Sequence, residues 1–311
     1  MNILITGGTG FIGRHLISDF LSRSSDISFT VLSRRKAPQV CRLFRNVPAD
    51  KLKIINTAGE LQGRTPDILI HLAGSPVFTM IPFFENTAEL ESSRAGYTAG
   101  LFRSLAESGM LPGTVIMAGS TGIYPPDEKP APEESAAGNT FPARLAGSWE
   151  NAATETLEEL RNSGCISEIP RLITMRFSTV MGKDGGFLKP FIMTKRQPVI
   201  IPGNGNSMLS WISIPDTAEI AWNLIRKWPD FSGKINLAVP DPLSLNEICR
   251  DIADLNRAAF TAHLPEMPLK ILKPQTAAFL LLSNTARPAA LARLGYHFHY
   301  ENFREFLKTV I

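Results

Sequence analysis

The segment ITGGTGFIG carries glycines at a spacing that can hold a phosphate. Read as GxxGxxG, its key positions are Gly7, Gly10 and Gly13, with Thr9, Phe11 and Ile12 in the same loop. Gly7 lets the chain turn tightly out of a strand, Gly10 lets the backbone approach a pyrophosphate, and Gly13 lets the next helix pack closely on the sheet. That helix presents free N–H groups and the positive end of its dipole to the phosphates. A lone glycine motif is weak evidence. Here it follows the apolar run Asn2–Thr6 and opens the amphipathic FIGRHLISDFLSR, the context the motif requires.

The end of the second strand selects the dinucleotide. An NAD site places Asp or Glu about 20 residues beyond the loop, on the ribose 2′-hydroxyl. Ser33 stands there instead, followed by Arg34, Arg35 and Lys36. A hydroxyl and cationic donors suit a 2′-phosphate, so NADP(H) is expected in preference to NAD. The bland alternative is a solvated basic turn. Leu72, Ala73 and Gly74 close the fourth strand, at the sheet end that faces the cofactor crevice. Small residues there let the adenosine ribose lie against the backbone.

Such residues need a scaffold to position them. Strand-like runs at Asn2–Thr6, Ile27–Leu32, Leu52–Ile55, Ile68–Leu72, Thr114–Ala118 and Leu172–Phe177 alternate with helical patterns, among them Glu85–Ser108 and Phe141–Ser163. This alternation predicts an α/β fold, a Rossmann-type doubly wound parallel sheet wrapped by helices. After about residue 180 the turns GKDGG and IPGNGN separate shorter elements. Strands are expected within Ser207–Ile214 and Lys234–Val239, and helices over Pro215–Trp228, Leu243–Ala258, Pro274–Leu282 and the C-terminal ENFREFLKTVI. The expected division is 1–180 for an NADP-binding domain, with some later segments returning to it, and 181–311 for a smaller C-terminal α/β lobe.

Bulk composition excludes some partners. Of 311 residues, 44% are hydrophobic and 20% charged, and 32 basic against 29 acidic residues leave a net charge of +3. That balance is too even to imply nucleic acid or a membrane surface. Cys41, Cys165 and Cys249 are scattered and read as reduced thiols. No signal-peptide pattern precedes Asn2, and the run AAFLLL at 277–282 is far below the ~18–20 residues that span a bilayer. A cytoplasmic protein with a small-molecule substrate and no metal is expected, with a homodimer left open.

Five segments then occur in one order: TGGTGFIG, SRR, HLAG, AGSTGIY and RFSTVMGKDGG. Together they resemble the extended, epimerase-like short-chain dehydrogenase/reductases of the NAD-dependent epimerase/dehydratase superfamily. The chain is most similar to an atypical "epimerase family protein" branch. That branch carries SR after the second strand, a Trp–Glu pair where Trp149-Glu150 stands, and WIHIDD, matched in part by WISIPD at 211–216. Its members end in a short C-terminal domain of unknown function, which LARLGYHFHYENFREFL resembles. The likeness spans almost the whole chain and speaks to fold and cofactor more than to substrate. It implies cofactor contacts from Ser33, Arg34, Leu72, Ala73, Glu89, Arg94 and Thr179. Ser213 and Pro215 depart from a His and an Asp of the branch pattern, and TKRQPVIIPGNGN departs from its glycine-rich loop.

Most enzymes of this type combine a Ser or Thr with a Tyr and a Lys four residues apart. The tyrosine moves the proton, and the lysine's charge lowers the tyrosine pKa. Ser120 fits the serine position at the end of the fifth strand. Counting back from Glu150, the tyrosine and lysine slots fall on Pro142 and Ala146 in FPARLAGSWE, and no tyrosine occurs between Tyr124 and Tyr296. Ser120 and Tyr124 are therefore the catalytic candidates, Tyr124 as a proton donor or as a packing residue. A tyrosine without an adjacent cation keeps a pKa near ~10. Arg144 is either a nearby cation or a solvated helix residue. AGSTG is similar to a hydrolase nucleophile elbow, but the dinucleotide loop argues against that chemistry. His297 and His299 alternate without an evident third metal ligand. The expected function is an NADP(H)-binding oxidoreductase or epimerase-like enzyme, passing hydride between nicotinamide C4 and a carbonyl or nucleotide-sugar-like substrate held over Ser120. The alternative is a non-catalytic NADP(H)-sensing regulatory or scaffold protein.

Overall fold

The structure is a computed structural model that describes residues 1–61, 63–76, 87–127, 129–192, 196–272 and 274–311. The strands form from mainly apolar runs, buried on both faces in the middle of the sheet and partly exposed at its edges. They are β1 (Asn2–Thr6), β2 (Ser28–Leu32), β3 (Leu52–Ile55), β4 (Ile68–His71), β5 (Thr114–Ser120), β6 (Arg171–Phe177) and β7 (Gly233–Leu237). All seven run parallel in the order β7-β6-β5-β4-β1-β2-β3. The order reverses between β1 and β4, and that reversal opens a crevice at the carboxyl ends of the strands. The sheet is Rossmann-type, as expected.

Helices cover both faces. Four matter for the crevice: α1 (Phe11–Arg23), α2 (Tyr97–Glu107), α3 (Phe141–Asn162) and α4 (Ile214–Arg226). Leu16, Ile17 and Phe20 of α1 and Ile220 and Leu224 of α4 pack with Ile3, Ile5 and Val31 on one face. Leu101 and Phe102 of α2 and Trp149, Ala153 and Leu157 of α3 pack with Leu4, Leu69 and Val115 on the other. α3 starts where its sequence says it should. Thr140 accepts a hydrogen bond from Ala143 N (3.3 Å), and Pro142 sits in the first turn, where a missing N–H costs nothing.

The helix expected from Glu85 has a start that lies outside the described residues. From Thr87 it runs as an α-helix to Glu91, widens into a π turn over Ser92–Gly96, and continues as α2. A π turn inserts an extra residue into the helix and is frequent at functional sites. The strand expected within 207–214 divides in two. Met208–Leu209 pairs with Leu243–Ser244, and Trp211–Ser213 joins Thr179–Gly182. The helix expected from Leu243 begins at Leu245, because Ser244 and Glu247 form a capping box. A separate core, including Trp211, Ile248, Ile252, Phe303 and Phe306, lies beneath these shorter elements. Among the described residues no helix is long and apolar enough to cross a membrane.

One buried polar chain ties the two strands at the reversal to the helices. His71 ends β4 with its ring fully buried. Nδ1 lies 2.6 Å from Thr6 Oγ1 at the end of β1, and Nε2 lies 2.8 Å from Thr98 Oγ1 on α2. Thr98 Oγ1 also accepts a hydrogen bond from Trp149 Nε1 on α3 (2.9 Å). Burial pushes the His71 pKa down from 6.5 to about 4. The folded value is depressed, so the stabilisation is complete above pH 6.5 and is lost as pH falls toward 4. The loss should reach about 3 kcal/mol. Urea unfolding between pH 7 and pH 4 should show that decline, and it should shrink in His71→Gln. An equal decline in both proteins would assign the acid sensitivity elsewhere.

Candidate active site

The glycine loop is held by its own backbone. Gly10 N donates to Gly7 O (2.9 Å), and Arg14 N donates to Gly10 O (3.1 Å). Gly7 adopts φ +70°, and a Cβ there would meet the Leu72 carbonyl at 2.6 Å. A Cβ on Gly13 would lie 2.5 Å from Gly7 O. Neither position can carry a side chain without moving the loop. Gly10 caps α1 without any side-chain hydrogen bond, so no cap side chain occupies the first-turn N–H groups. This cradle suits a pyrophosphate.

Phe11 fixes the loop from below. Its ring lies against Gly182, Gly185 and Gly186, where any Cβ would collide with it, as at 2.6 Å from Gly182 to Phe11 Cζ. It also meets the His15 ring edge-on at 5.2 Å. The sequence marked GKDGG only as a turn. Its glycines are a seat for an aromatic residue of the phosphate loop. Ile12 is half-buried against the core, and Thr9 is half-buried in the loop.

Ser33, expected at the adenosine end, is held by local hydrogen bonds. Its Oγ accepts a hydrogen bond from Arg35 N (3.1 Å), while Asn56 Nδ2 donates to Ser33 O (2.6 Å) and Arg35 O (3.0 Å). Asn56, at the end of β3, gave no signal in the sequence. The side chains of Arg34 and Arg35 are exposed. Burial raises the Tyr97 pKa, and the Arg34 charge opposes that rise. Leu72 and Ala73 run against Gly7. Beside Gly74 lies Arg94, on the π turn. The Arg94 guanidinium donates to Ser75 O (3.0 Å) and Leu90 O (3.2 Å) and sits 5.3 Å over the Trp149 ring. Burial lowers the Arg94 pKa. Glu89 accepts from Ser75 Oγ (3.0 Å), so Glu89 and Arg94 hold the same segment. Thr179 starts the strand Thr179–Gly182, and its N–H donates to Ser210 O (3.1 Å).

At the end of β5, Ser120 Oγ accepts from Gly122 N (3.1 Å), and its own proton has no acceptor among the described residues. Tyr124 is committed differently. Its hydroxyl donates to Asn236 Oδ1 (2.8 Å) and accepts from Arg176 Nη1 (2.7 Å). The expectation of a tyrosine without an adjacent cation is therefore corrected. The cation comes from β6, the neighbouring strand, which sequence proximity does not reveal. Burial still dominates, and the Tyr124 pKa lies above its usual value despite Arg176.

Arg176 in turn meets Glu150 through two hydrogen bonds, of 2.8 and 2.7 Å. Trp149 and Glu150, consecutive on α3, thus serve different partners, Arg94 and Arg176. Pro142 and Ala146 line the same helix, with Ala146 against Ile123 and Tyr124. Arg144 is exposed and donates to Asn139 O (2.5 Å). His299 lies away from the crevice, on Asp216 and Glu219.

Known proteins share this fold. Residues 3–238 match the NAD dependent epimerase/dehydratase family. The chain is 27% identical over 326 aligned residues to the epimerase family protein SDR39U1 homolog, chloroplastic, of Arabidopsis thaliana, covering 100% of this chain and 87% of that one. Its fold is similar to human epimerase family protein SDR39U1 (isoform 2), crystallised with NADPH, at a TM-score of 0.79, 23% identity and coverage of 100% and 99% of the two chains. It is also similar to UDP-glucuronic acid 4-epimerase from Bacillus cereus in complex with UDP-glucuronic acid and NAD, at a TM-score of 0.73, 17% identity and 100% coverage of both chains. The chain belongs to the NAD dependent epimerase/dehydratase family, as an extended short-chain dehydrogenase/reductase with an NAD(P)-binding fold.

Proposed function

We propose that the protein is an NADP(H)-dependent oxidoreductase or epimerase-like enzyme that works without a Tyr–Lys pair. The observation that carries the reading is Ser120, whose hydroxyl is oriented by Gly122 N and keeps its own proton to donate. In this reading the open N–H groups of α1 hold the pyrophosphate, and Gly7 and Gly13 give it room. Ser33, Arg34 and Arg35 receive a 2′-phosphate, and Leu72, Ala73 and Gly74 support the ribose. Arg94, steadied on Trp149, and Thr179 complete the crevice wall. The bound dinucleotide supplies or accepts hydride. Ser120 holds the substrate oxygen. Tyr124, with its hydroxyl engaged on both sides, orients the loop behind Ser120. Residues 1–180 with β7 form the cofactor half, and the rest of 181–311 supplies the substrate side.

A second reading, an NADP(H) sensor without turnover, rests on Pro142 and Ala146. Neither can transfer a proton.

Cofactor choice is testable by fluorescence titration. NADPH should bind more tightly than NADH, and Arg34→Ala should weaken NADPH about tenfold, the loss of one charge-assisted hydrogen bond of ~1.5–3 kcal/mol. NADH should hardly change. Wild-type preference for NADH would refute the assignment.

Turnover separates the enzyme from the sensor. With a substrate found by following NADPH oxidation, Ser120→Ala should lower kcat about a hundredfold, the scale of losing one donor to a developing oxyanion. Tyr124→Phe should cost ~1–3 kcal/mol of stability, because it strips Arg176 and Asn236 of a buried partner, with little change in kcat. Tight NADPH binding with no turnover on any carbonyl would favour the sensor.

A further inference from the structure

We propose that the basic ridge from Arg34 to Arg45 docks an acidic segment of a partner protein, in competition with the 2′-phosphate of the cofactor. The ridge begins where β2 ends. Arg34, Arg35 and Lys36 lead into the short helix Ala37–Cys41, and the turn Arg42–Phe44 continues it to Arg45. Cys41, Arg42 and Arg45 keep right-handed helical dihedrals, so Arg42 and Arg45, three residues apart, share a face. Val40 and Phe44 are buried in the core beneath. They anchor the ridge and leave its five cations exposed. At ~1.5–2 Å per residue, the run from Lys36 to Arg45 is about 15 Å long, which about five extended peptide residues span.

The charge is concentrated here and is not balanced locally. Residues 27–49 hold these five cations and no acid, so the remaining 27 basic and 29 acidic residues leave the rest of the chain at −2. The nearest acids serve other groups. Asp26 pairs with Arg226 (2.7 Å) and Asp50 with Lys51 (3.9 Å), while Glu60 accepts from Asn56 N (3.0 Å) and Thr57 N (2.9 Å). Among the described residues, none of the five charged groups has an ion pair or a side-chain hydrogen bond. Two arginines beside Ser33 suffice for a 2′-phosphate. Lys36, Arg42 and Arg45 are left over.

The chemistry of the ridge favours carboxylates. A membrane surface also needs an apolar face, and Leu43, 38% exposed, is the one large hydrophobic side chain exposed between residues 34 and 45. Single-stranded nucleic acid needs an aromatic platform, and Phe44 is buried. An acidic peptide needs neither. Four of the five cations are arginines, whose planar forks match carboxylates and which are enriched at protein interfaces. Arg34 and Arg35 would belong to both sites, so cofactor and partner weaken each other by the same factor. That competition rests on the 2′-phosphate reading; the docking surface does not.

The probe is a fluorescein-labelled decaglutamate peptide, titrated with the full chain and followed by anisotropy at about 0.05 M NaCl, where screening is weak. It should bind, and Arg42→Glu with Arg45→Glu should weaken it at least about tenfold. The milder pair Arg42→Gln with Arg45→Gln should fall between. NADPH affinity should stay unchanged in both double variants, which also reports an intact crevice. Saturating NADPH should weaken the peptide about fivefold, and NADH should not. No peptide binding, or binding indifferent to both double variants, would overturn the docking surface. Tighter binding to a ten-nucleotide oligothymidylate or to phosphatidylserine vesicles would overturn the choice of partner. If NADPH is preferred over NADH yet leaves the peptide bound, the competition fails and the cofactor reading stands. If NADPH is not preferred while the double variants still lose the peptide, the cofactor reading fails and the docking surface stands.

Discussion

The ion pair between Arg176 on β6 and Glu150 on α3 fixes the end of the sheet where chemistry would occur. Only 2% of the Arg176 side chain and 6% of the Glu150 side chain are exposed. Removing one partner from such a pair leaves a buried charge uncompensated, at a cost of about 3–5 kcal/mol. The two hydrogen bonds to Glu150 occupy Nε and Nη2, which frees Nη1 for the Tyr124 hydroxyl and Glu133 O. Burial alone would lower the Arg176 pKa, but Glu150 and Tyr124 hold it above its usual value. The pair needs Gly119. A Cβ at that position would lie 2.7 Å from Thr174 Cγ2 and 2.9 Å from Glu150 Oε1. The glycine before Ser120 therefore reflects the ion pair passing beneath β5. The same network reaches further, because Glu133 Oε1 accepts from Asn236 N and Ala290 N and so binds the 124–139 loop to β7 and the C-terminal segment.

The neighbouring residue does equivalent work on the other side of α3. Trp149 supports Arg94 with its ring face and reaches Thr98 with its indole N–H. A guanidinium over an indole gains from the ring quadrupole, and more so when desolvated. Because residues i and i+1 on a helix face different directions, α3 can hold a cation on each side. The π turn at Ser92–Gly96 rotates the backbone between Glu89 and Tyr97, and Arg94 lies on it. The helix opened by FPARLAGSWE is therefore a brace between two arginines.

Local patterns were legible in the sequence, and long-range partners were not. The strands of the sheet, the GxxGxxG loop and the helix over 141–163 follow from apolar runs and short spacings. Phe11 reads as a helix residue facing the core, and nothing local says that it needs three glycines near residue 185. The Arg176 cation beside Tyr124 was invisible for the same reason. The strand expected over 207–214 breaks at Ser210, where Asn284 O accepts Ser210 N (2.8 Å) and Ser210 Oγ accepts Ala286 N (2.8 Å). Those bonds come from a distant segment, and propensity cannot anticipate them.

The same network bears on why no lysine stands at 146. Ala146 packs against Tyr124, whose hydroxyl already receives a hydrogen bond from Arg176. A lysine reaching that hydroxyl from α3 would bring a second cation beside the first in a region of low dielectric, which disfavours both charges. It would also compete for the acceptor that Arg176 uses. An arginine neutralised by Glu150 steadies the tyrosine without leaving a net charge facing the crevice. That solution fixes Tyr124 rigidly and spends its proton on Asn236. The hydroxyl left with an unspent donor at this strand end is Ser120, so on the proposed mechanism it is Ser120 that hydrogen-bonds the substrate oxygen.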